Sequence, residues 1–598
     1  MNKITFVILF VIVAISTTIF SISYYQRSLT EKPVTSEQIT EAATPLFIGC
    51  KEQRDYLKTD DLLYIACDGG VLGVDPISNK IIETLTMADG LSNEYITSLV
   101  KYKDYLYIGS QDGITQYNLV TNKAKIINTS SGLSNGANIK LLLDENTLWV
   151  ATFDGLDSIN LETLKITKHK KDINPNLETL NTTAIAKGGN FIYASILGSD
   201  KSTGFIAKLD KSTNTWEAFE AGDFTSSPTS GLNVNDFYVT EDSAYAFEMF
   251  NTGQDFDKTL ADVLENKTVW KQKFDDDRWV SATEDDKEVL EMAYDSKNRP
   301  YVKLANDATV NKLWHVINSK VIAGGGLDLQ SNSLIELDHK TLDKKFIPSK
   351  VDDSSIIFFE PIEYTNLSVV IYQTCGQGCL KPSLYLHNYV TDALDEVVIP
   401  VESPEGLTGY GFVSAFDTQE LILSIVDTVS LEEAKFKLDT LTKQLTKLPS
   451  TKLSKLTELQ HPIKASNNVY DFNSRFTLAR RLVTATTKED AQKLGITYTS
   501  DEELIKLQYK DKEYTLRMLP KRYSPFADWL HTIEVRKLQL DQNVLWVSTD
   551  RGVVRIDTNT GVITLFGPKD GLISPNVKDF IFVDGKLITT YNGISVVE

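Results

Sequence analysis

The sequence predicts an all-β fold, a β-propeller of four-stranded antiparallel blades with an N-terminal transmembrane helix, and three recurrences carry this prediction. A Leu followed seven residues later by Gly recurs along the chain, Gly-Leu-Ser-Asn recurs between these units, and one polar turn recurs eight times. Propeller blades are four-stranded repeats of roughly 40–50 residues, so a repeat of this length bounded by turns favours that architecture.

The first recurrence is a short apolar segment that ends in Gly. The segments begin at Leu63, Leu106, Leu148 and Leu545, and their glycines are Gly70, Gly113, Gly155 and Gly552. The first three glycines are 43 and 42 residues apart. We expect each glycine to adopt a positive φ or to approach another backbone closely. The aromatic residue after each Leu could line a ligand cage, but its regular placement favours packing between blades (Tyr64, Tyr107, Trp149 and Trp546).

The other two recurrences are loops. Gly-Leu-Ser-Asn begins at Gly90 and Gly132, and Gly571 begins the related Gly-Leu-Ile-Ser. The polar turn has the form Asp/Asn-x-x-Ser/Thr, in which the first side chain can bond the backbone two residues on. Its eight copies begin at Asp75, Asn118, Asn160, Asp210, Asp338, Asn388, Asp439 and Asp557.

The polar turn extends the repeat through the middle of the chain. Alternating apolar residues flank it at 334–348 and 435–449, which is the pattern of antiparallel hairpins. The spacing between turns stretches here, so we expect insertions between 165 and 530, including helix-like stretches at 486–507 that decorate a blade. About 8–11 blades are predicted, including weak units near 232–275 and 465–520. They form either one large ring or two propellers, one interrupting the other.

The last unit ends on its third strand, at residues 594–598. The strand-like segment 45–50 precedes the first complete unit, and we expect it to supply the missing outer strand. Pairing of the N- and C-terminal strands would then close a propeller domain over 45–598 and would cover two sheet edges.

These units resemble the two-component regulator propeller (Reg_prop-type) repeats. That family has Gly-Leu-Ser-Asn, a strand, Leu-Trp-Ile-Gly-Thr, two spacers and Gly-Leu, and then a Tyr-Asp turn. The match covers about 60–165 and 530–598 and is faint from 180 to 520. The resemblance implies the propeller fold. Family members usually form the sensory half of a membrane kinase, but this sequence has no kinase part, so the signalling role does not carry over.

The N-terminus predicts an extracytoplasmic location. Residues 4–25 contain no charge and are mostly apolar, and a helix of this length spans a bilayer core of about 30 Å. We expect residues 1–27 to be an uncleaved signal-anchor, although a cleaved signal peptide is the alternative. Residues 28–44 are polar and predict a flexible linker, with the rest of the chain outside the cytoplasm.

The four cysteines fit an exported protein. Cys375 and Cys379 enclose two glycines and could form a disulfide, whereas the alternative of a metal site would need two more ligands, and no His or further Cys lies nearby. Cys50 and Cys67 are the second candidate pair. Composition adds an exclusion: 81 acidic residues against 61 basic ones leave a net charge of −20, which disfavours nucleic-acid binding.

The sequence motifs of catalytic, calcium and phosphate sites are incomplete in this chain. Ser134 lies in a nucleophile-elbow pattern, but a strand-like run follows where a helix is needed. Asp275–Asp277 and Asp352–Asp353 lack the alternating spacing of a calcium loop, and Gly324–Gly326 lacks the Lys of a phosphate-binding loop. The six histidines are all more than ten residues apart, although distant ones could converge on a propeller axis (His169, His315, His339, His387, His461 and His531).

We therefore expect no catalytic residue, no metal ligand and no cofactor, with calcium between blades as the alternative. The predicted function is a non-catalytic scaffold, not an enzyme, that binds a protein, peptide or glycan. Two alternatives stay open: a propeller enzyme that hydrolyses or cleaves glycans, and a sensor module that signals through a membrane partner.

Overall fold

The computed structural model describes residues 45–597 with gaps. The longer gaps are 175–179, 198–203, 225–233, 248–268, 298–311, 325–333, 348–354, 374–381, 401–411, 453–486 and 523–529, and the others span one to four residues. The predicted anchor and linker lie outside the described residues. Among those that are described, no helix has the length and apolar character needed to cross a membrane.

Most of the chain forms four-stranded antiparallel sheets, which we number 1 to 11 along the chain. Sheet 1 contains Asp55–Lys58, Leu63–Cys67, Gly70–Val74 and Ile81–Leu85 (β2–β5). Sheet 2 contains Ile96–Tyr102, Tyr105–Ser110, Gly113–Asn118 and Lys123–Ile127 (β6–β9). Sheet 3 contains Lys140–Asp144, Thr147–Thr152, Gly155–Asn160 and Ile166–Lys168 (β10–β13). Sheet 4 contains Asn181–Gly188, Phe191–Leu197, Phe205–Asp210 and Thr215–Phe219 (β14–β17).

The next four sheets lie where the sequence repeat is faint. Sheet 5 contains Asp236–Val239, Ser243–Phe247, Val269–Lys273 and Val280–Ser281 (β18–β21). Sheet 6 contains Lys312–Ile317, Lys320–Gly324, Leu334–Asp338 and Lys344–Ile347 (β22–β25). Sheet 7 contains Ser355–Pro361, Leu367–Gln373, Ser383–Asn388 and Ala393–Val397 (β26–β29). Sheet 8 contains Phe412–Asp417, Ile422–Asp427, Glu432–Asp439 and Gln444–Lys447 (β30–β33), with Thr451–Lys452 (β34) beside β32.

Three sheets complete the chain. Sheet 9 contains Ile496–Ser500, Leu504–Tyr509 and Lys512–Arg517 (β35–β37), and Lys521–Arg522 pairs with Leu530–His531 (β38 and β39). Sheet 10 contains Val535–Asp541, Val544–Thr549, Gly552–Asp557 and Ile563–Phe566 (β40–β43). Sheet 11 contains Asp579–Val583, Lys586–Thr590 and Gly593–Val597 (β44–β46), with Pro45–Ile48 (β1) as its fourth strand. The N-terminal strand thus supplies the outer strand that the last unit lacks.

The helices are short. Those with α geometry are Lys170–Ile173 (α1) and Lys287–Lys297 (α2), and 3-10 helices span Met87–Asp89, Thr129–Ser131, Glu284–Asp286 and Pro568–Asp570. The prediction of helix-like stretches within 486–507 is confirmed at 490–493, which is helical, while 496–500 and 504–507 are strands of sheet 9. Ile505 and Leu507 are fully buried against sheet 10, so tertiary packing overrides local helix preference there.

The polar turns are confirmed. All eight lie between the third and fourth strands of their sheets, and in each the Asp or Asn side chain accepts a backbone N–H two residues on. The predicted positive φ of the repeat glycines is also confirmed, for example at Gly113 (101°) and Gly552 (124°). A Cβ at Gly113 would lie 2.6 Å from the Ile127 carbonyl oxygen, so the fourth strand needs a glycine here.

Sheets pack face to face in two series. Sheets 1 to 5 pack in chain order, each through a buried apolar cluster shared with the next. The outer face of sheet 5 packs on α2 through Leu290 and Ala293. In the second series the packing order is 9, 10, 11, 6, 7 and 8.

The packing order of the second series is clearest at sheet 11, which packs on sheet 10 with one face and on sheet 6 with the other. Leu587 and Val597 pack on sheet 10, whereas Ile588, Ile594 and Val596 pack on sheet 6. One ring in chain order would instead place sheet 6 against sheet 5, whereas sheet 6 shares its cluster with sheet 11. The apolar clusters of the described residues thus group the sheets into two series, and the number of rings stays a prediction. The chain begins with the outer strand of sheet 11, forms sheets 1 to 5, and returns at sheet 6.

Candidate functional site

Loops from neighbouring sheets meet at one end of the sheets, which we call the loop face. It consists of the turns between second and third strands and the connections that follow fourth strands. Backbone bonds join the two kinds of loop: Gly113 N–H donates to Gly136 O (2.6 Å), and Val577 N–H donates to Thr549 O (3.0 Å). The polar turns between third and fourth strands lie at the opposite end of the sheets.

The Gly-Leu-Ser-Asn loops shape this face. A one-turn 3-10 helix precedes each of them, and also the related Gly-Leu-Ile-Ser loop, and ends on the left-handed first glycine of the loop (Gly90, Gly132 and Gly571). The residue after the buried Leu then donates its backbone N–H to a side chain on the third strand of the next sheet. The three pairs are Ser92 with Thr115, Ser134 with Asp157, and Ile573 with Ser595. The repeated motif thus positions each loop against the following sheet.

Ser134 occupies one of these loop positions. Its hydroxyl donates to Asp157 Oδ1 (2.7 Å), and its backbone N–H donates to Asp157 Oδ2 (2.7 Å). The residues that follow form the strand Lys140–Asp144, not the helix that a nucleophile elbow requires. Burial raises the pKa of Asp157, and the bonds from Ser134 oppose that rise.

A cluster of polar and aromatic side chains lies on the loop face where sheets 1, 2 and 11 meet. We call it the junction cluster: Arg54, Asp68, Glu94, Tyr95 and Tyr591. Arg54 Nη1 lies 2.6 Å from Asp68 Oδ1, and its guanidinium lies 3.6 Å from the centre of the Tyr95 ring. Tyr95 is 38% exposed, so part of the ring is available to another molecule.

The inner part of the cluster is more enclosed. Glu94 is only 8% exposed. Burial raises the pKa of the Tyr591 phenol, and the nearby carboxylates of Glu94 and Asp68 raise it further. Arg536, from the first strand of sheet 10, and a hydrogen bond from Asn576 act in the opposite direction. The cluster therefore combines hydrogen-bond donors, acceptors and an aromatic ring in partly desolvated surroundings, which suits binding of a polar partner.

Sequence reasoning missed the junction cluster. Its members lie at positions 54, 68, 94, 95 and 591, without a shared spacing. The one available signal was the position of Glu94 and Tyr95 directly after a Gly-Leu-Ser-Asn loop.

The repeated aromatic residues pack between sheets, as predicted. Tyr64 lies between sheets 1 and 2, and Tyr107 lies between sheets 2 and 3. Trp149 lies between sheets 3 and 4, and Trp546 lies between sheets 10 and 11. All four are at most 5% exposed, so none of them is a ligand platform.

Three histidines have described side chains, and each lies in a different place. His169 packs on Trp149, with ring centres 5.0 Å apart, and its Nε2 lies 2.9 Å from Ser158 Oγ. Burial lowers the pKa of His169. His339 faces Asp584 across sheets 6 and 11, and His387 faces Glu336 across sheets 6 and 7, each pair 3.5 Å apart.

The remaining candidate histidines, acidic residues and glycines lie partly outside the described residues. The side chains of His315 and His531, and all of His461, lie outside the described residues, as do Asp277, Asp352, Asp353, Gly325 and Gly326. Gly324 ends a strand of sheet 6, and Asp275 and Asp276 lie in the turn after the third strand of sheet 5. In the described part of the chain, no group of three or more His, Cys, Asp or Glu side chains could hold a metal ion.

The Cys50–Cys67 disulfide is confirmed. Its Cα atoms are 5.2 Å apart, and it joins the segment after β1 to the second strand of sheet 1. Both cysteines are buried with Ile48, Ile65 and Ile573. The bond therefore links the strand that completes sheet 11 to the first sheet of the other series. Cys375 and Cys379 lie outside the described residues.

Solved structures similar to this chain include a bacterial surface protein and extracellular domains with propeller-like folds. PorZ, an essential bacterial surface component of the type-IX secretion system of Porphyromonas gingivalis, is 12% identical, with 93% of this chain and 86% of that chain covered at a TM-score of 0.41. The extracellular domain of the putative hybrid two-component system BT4673 from B. thetaiotaomicron is 11% identical (91% and 75% covered, TM-score 0.27). That of BT3049 from B. thetaiotaomicron is 12% identical (92% and 81% covered, TM-score 0.24).

Similarity at this level assigns no function. No family model matches the sequence. No curated protein matches it either.

Proposed function

We propose that this protein is a membrane-anchored, extracytoplasmic β-propeller protein whose loop face binds a ligand or a partner protein without catalysing a reaction. The junction cluster is the observation that carries the proposal. It presents a half-exposed tyrosine ring, an ion pair and a buried carboxylate at one place on a surface built from rigid sheets. Rigid scaffolds that position loops in this way commonly serve recognition.

The chemistry of the cluster supports binding of a polar molecule. Tyr95 offers apolar area at low conformational cost, because few of its bonds rotate. Arg54 covers one side of that ring and is itself held by Asp68, so the ring is preorganised. Asp68 and Glu94 accept hydrogen bonds, and Arg54 and Tyr591 donate them.

The test places a photo-crosslinking amino acid at Tyr95 in the full chain, on cells that express it. Tyr102 is the matched control, because Tyr95 directly precedes the strand Ile96–Tyr102 and Tyr102 ends it. Crosslinking of a defined partner from position 95 and not from 102 is expected, and it should weaken in Arg54→Ala.

Two results would count against the proposal. Equal crosslinking from both positions would show that the partner does not bind preferentially at the loop face. Cleavage of a free glycan by the chain that stops in Glu94→Gln would indicate an enzyme instead of a binding protein.

A further inference from the structure

Exposed aliphatic side chains occur at the end of the sheets opposite the loop face. In sheets 7 and 8 the tip of the polar turn is Val390, 59% exposed, and Leu441, 92% exposed. Val562, just after the equivalent turn of sheet 10, is 56% exposed. Large aliphatic side chains in water are unfavourable by about 25 cal/mol per Å² of apolar surface.

The turns hold these side chains in place. Asn388 Oδ1 accepts the N–H groups of Val390 (3.0 Å) and Thr391 (3.1 Å). Asp439 Oδ1 accepts the N–H groups of Leu441 (2.8 Å) and Thr442 (3.0 Å). The aliphatic tips are therefore fixed features of the surface.

The N-terminal segment joins the fold at this same end. Pro45 begins the fourth strand of sheet 11, which runs antiparallel to the third strand Gly593–Val597. In sheets 7 and 8, the fourth strands begin just after the polar turns, at Ala393 and Gln444. Because sheets 11, 6, 7 and 8 pack successively, the starts of their fourth strands lie at one end.

The predicted linker would limit how far this end can lie from the membrane. It has seventeen residues, 28–44, and a fully flexible chain of that length would have a root-mean-square end-to-end distance of about 23 Å. Resting on the membrane attachment in the proposed function, we propose that Val390, Leu441 and Val562 dock on the lipid bilayer that holds the anchor. The loop face then points away from the membrane, where a partner can reach the junction cluster.

Aliphatic tips suit a lipid surface. Side chains of this kind enter the boundary between headgroups and acyl chains, at a depth of about 5–10 Å.

The test uses the full chain in phosphatidylcholine vesicles with an NBD fluorophore on Val390→Cys or Leu441→Cys. Val398→Cys is the matched control, because Val398 is 76% exposed and lies beyond the other end of the strand Ala393–Val397. The unsubstituted chain, treated with the same reagent, gives the background from native cysteines. We expect emission at 390 and 441 to shift to the blue and to be quenched by doxyl-labelled lipid, with neither change at 398.

Flotation of the vesicles separates the two proposals. A chain that does not float with the vesicles contradicts the membrane attachment itself. A chain that floats but is quenched no more at 390 and 441 than at 398 overturns the docking alone. Quenching at 390 and 441 that is blocked by an added soluble protein, with unchanged flotation, would also overturn it, because the tips would then belong to a protein interface.

Discussion

Replacement of Asp579 by Ala should loosen the contact between sheets 11 and 6. Asp579 is 6% exposed, and its Oδ2 accepts the N–H of Leu313 (2.9 Å), the second residue of the first strand of sheet 6. Its Oδ1 accepts from Lys537 Nζ (2.7 Å) of sheet 10 and from the Phe580 N–H (2.8 Å). One carboxylate thus connects three sheets whose sequence positions are far apart.

The size of the effect follows from these contacts. Leu313 is 2% exposed, so alanine leaves its N–H buried without an acceptor, which costs about 1–3 kcal/mol. The Lys537 side chain is 34% exposed and can return to water, so loss of its ion pair adds little. A total near 3 kcal/mol corresponds to about a hundredfold change in an equilibrium constant.

Hydrogen exchange measured by mass spectrometry is the assay, because a chain of many sheets need not unfold in one step. Protection of the Leu313 amide should fall by about two orders of magnitude in Asp579→Ala. Asp579→Asn keeps an oxygen acceptor for the Leu313 amide, so the protection of that amide should fall much less.

The matched control is Asp55, whose Oδ2 accepts the Leu99 N–H (2.8 Å) between sheets 1 and 2. Asp55→Ala should deprotect Leu99 and leave Leu313 unchanged. If Asp579→Ala leaves Leu313 as protected as in the parent chain, the assigned neighbours of sheet 11 are wrong.

Three further predictions follow from local geometry. Cys50→Ser with Cys67→Ser should destabilise the segment around sheet 1 by up to about 3 kcal/mol, the loop entropy for a separation of 17 residues, and an unchanged unfolding temperature would contradict this. Gly113→Ala should cost about 2–3 kcal/mol in denaturant unfolding, because its Cβ would meet a carbonyl oxygen, whereas Gly585→Ala has open space around it and should cost less. Bonds from the backbone N–H groups of the turn lower the pKa of Asp75, so its stabilising effect is complete above the ordinary pKa and is lost as pH falls through the lowered one. An acid titration of stability should therefore be shallower in Asp75→Asn, and identical curves would refute the role of this turn.

Much of the local structure follows from the sequence, because its causes are local. An Asp or Asn side chain bonds the backbone two residues away, so the turn at Asn388 is predictable even where the repeat is faint. The positive φ of Gly113 was predictable because a glycine recurs at this position of the repeat, seven residues after a Leu. The disulfide of Cys50 and Cys67 required one further condition, that the two segments lie side by side.

The junction cluster and α2 were not predictable in this way. Glu94 and Tyr591 are almost 500 residues apart in sequence, and only the packing of the sheets places them within electrostatic range. Helix α2 packs on sheet 5 and buries apolar side chains such as Tyr245 and Phe247. No local sequence pattern indicates that this face of the sheet must be covered by a helix.

The sequence by itself determined that the chain is built of four-stranded antiparallel units and which strand completes the last unit, because hairpins and turns depend on neighbouring residues. The tertiary structure alone decided which sheets are neighbours. Every sheet offers two similar apolar faces, so patterning cannot choose a partner for sheet 11. The choice depends on side chains such as Asp579, whose acceptor oxygens meet an N–H on sheet 6 and an ammonium group on sheet 10.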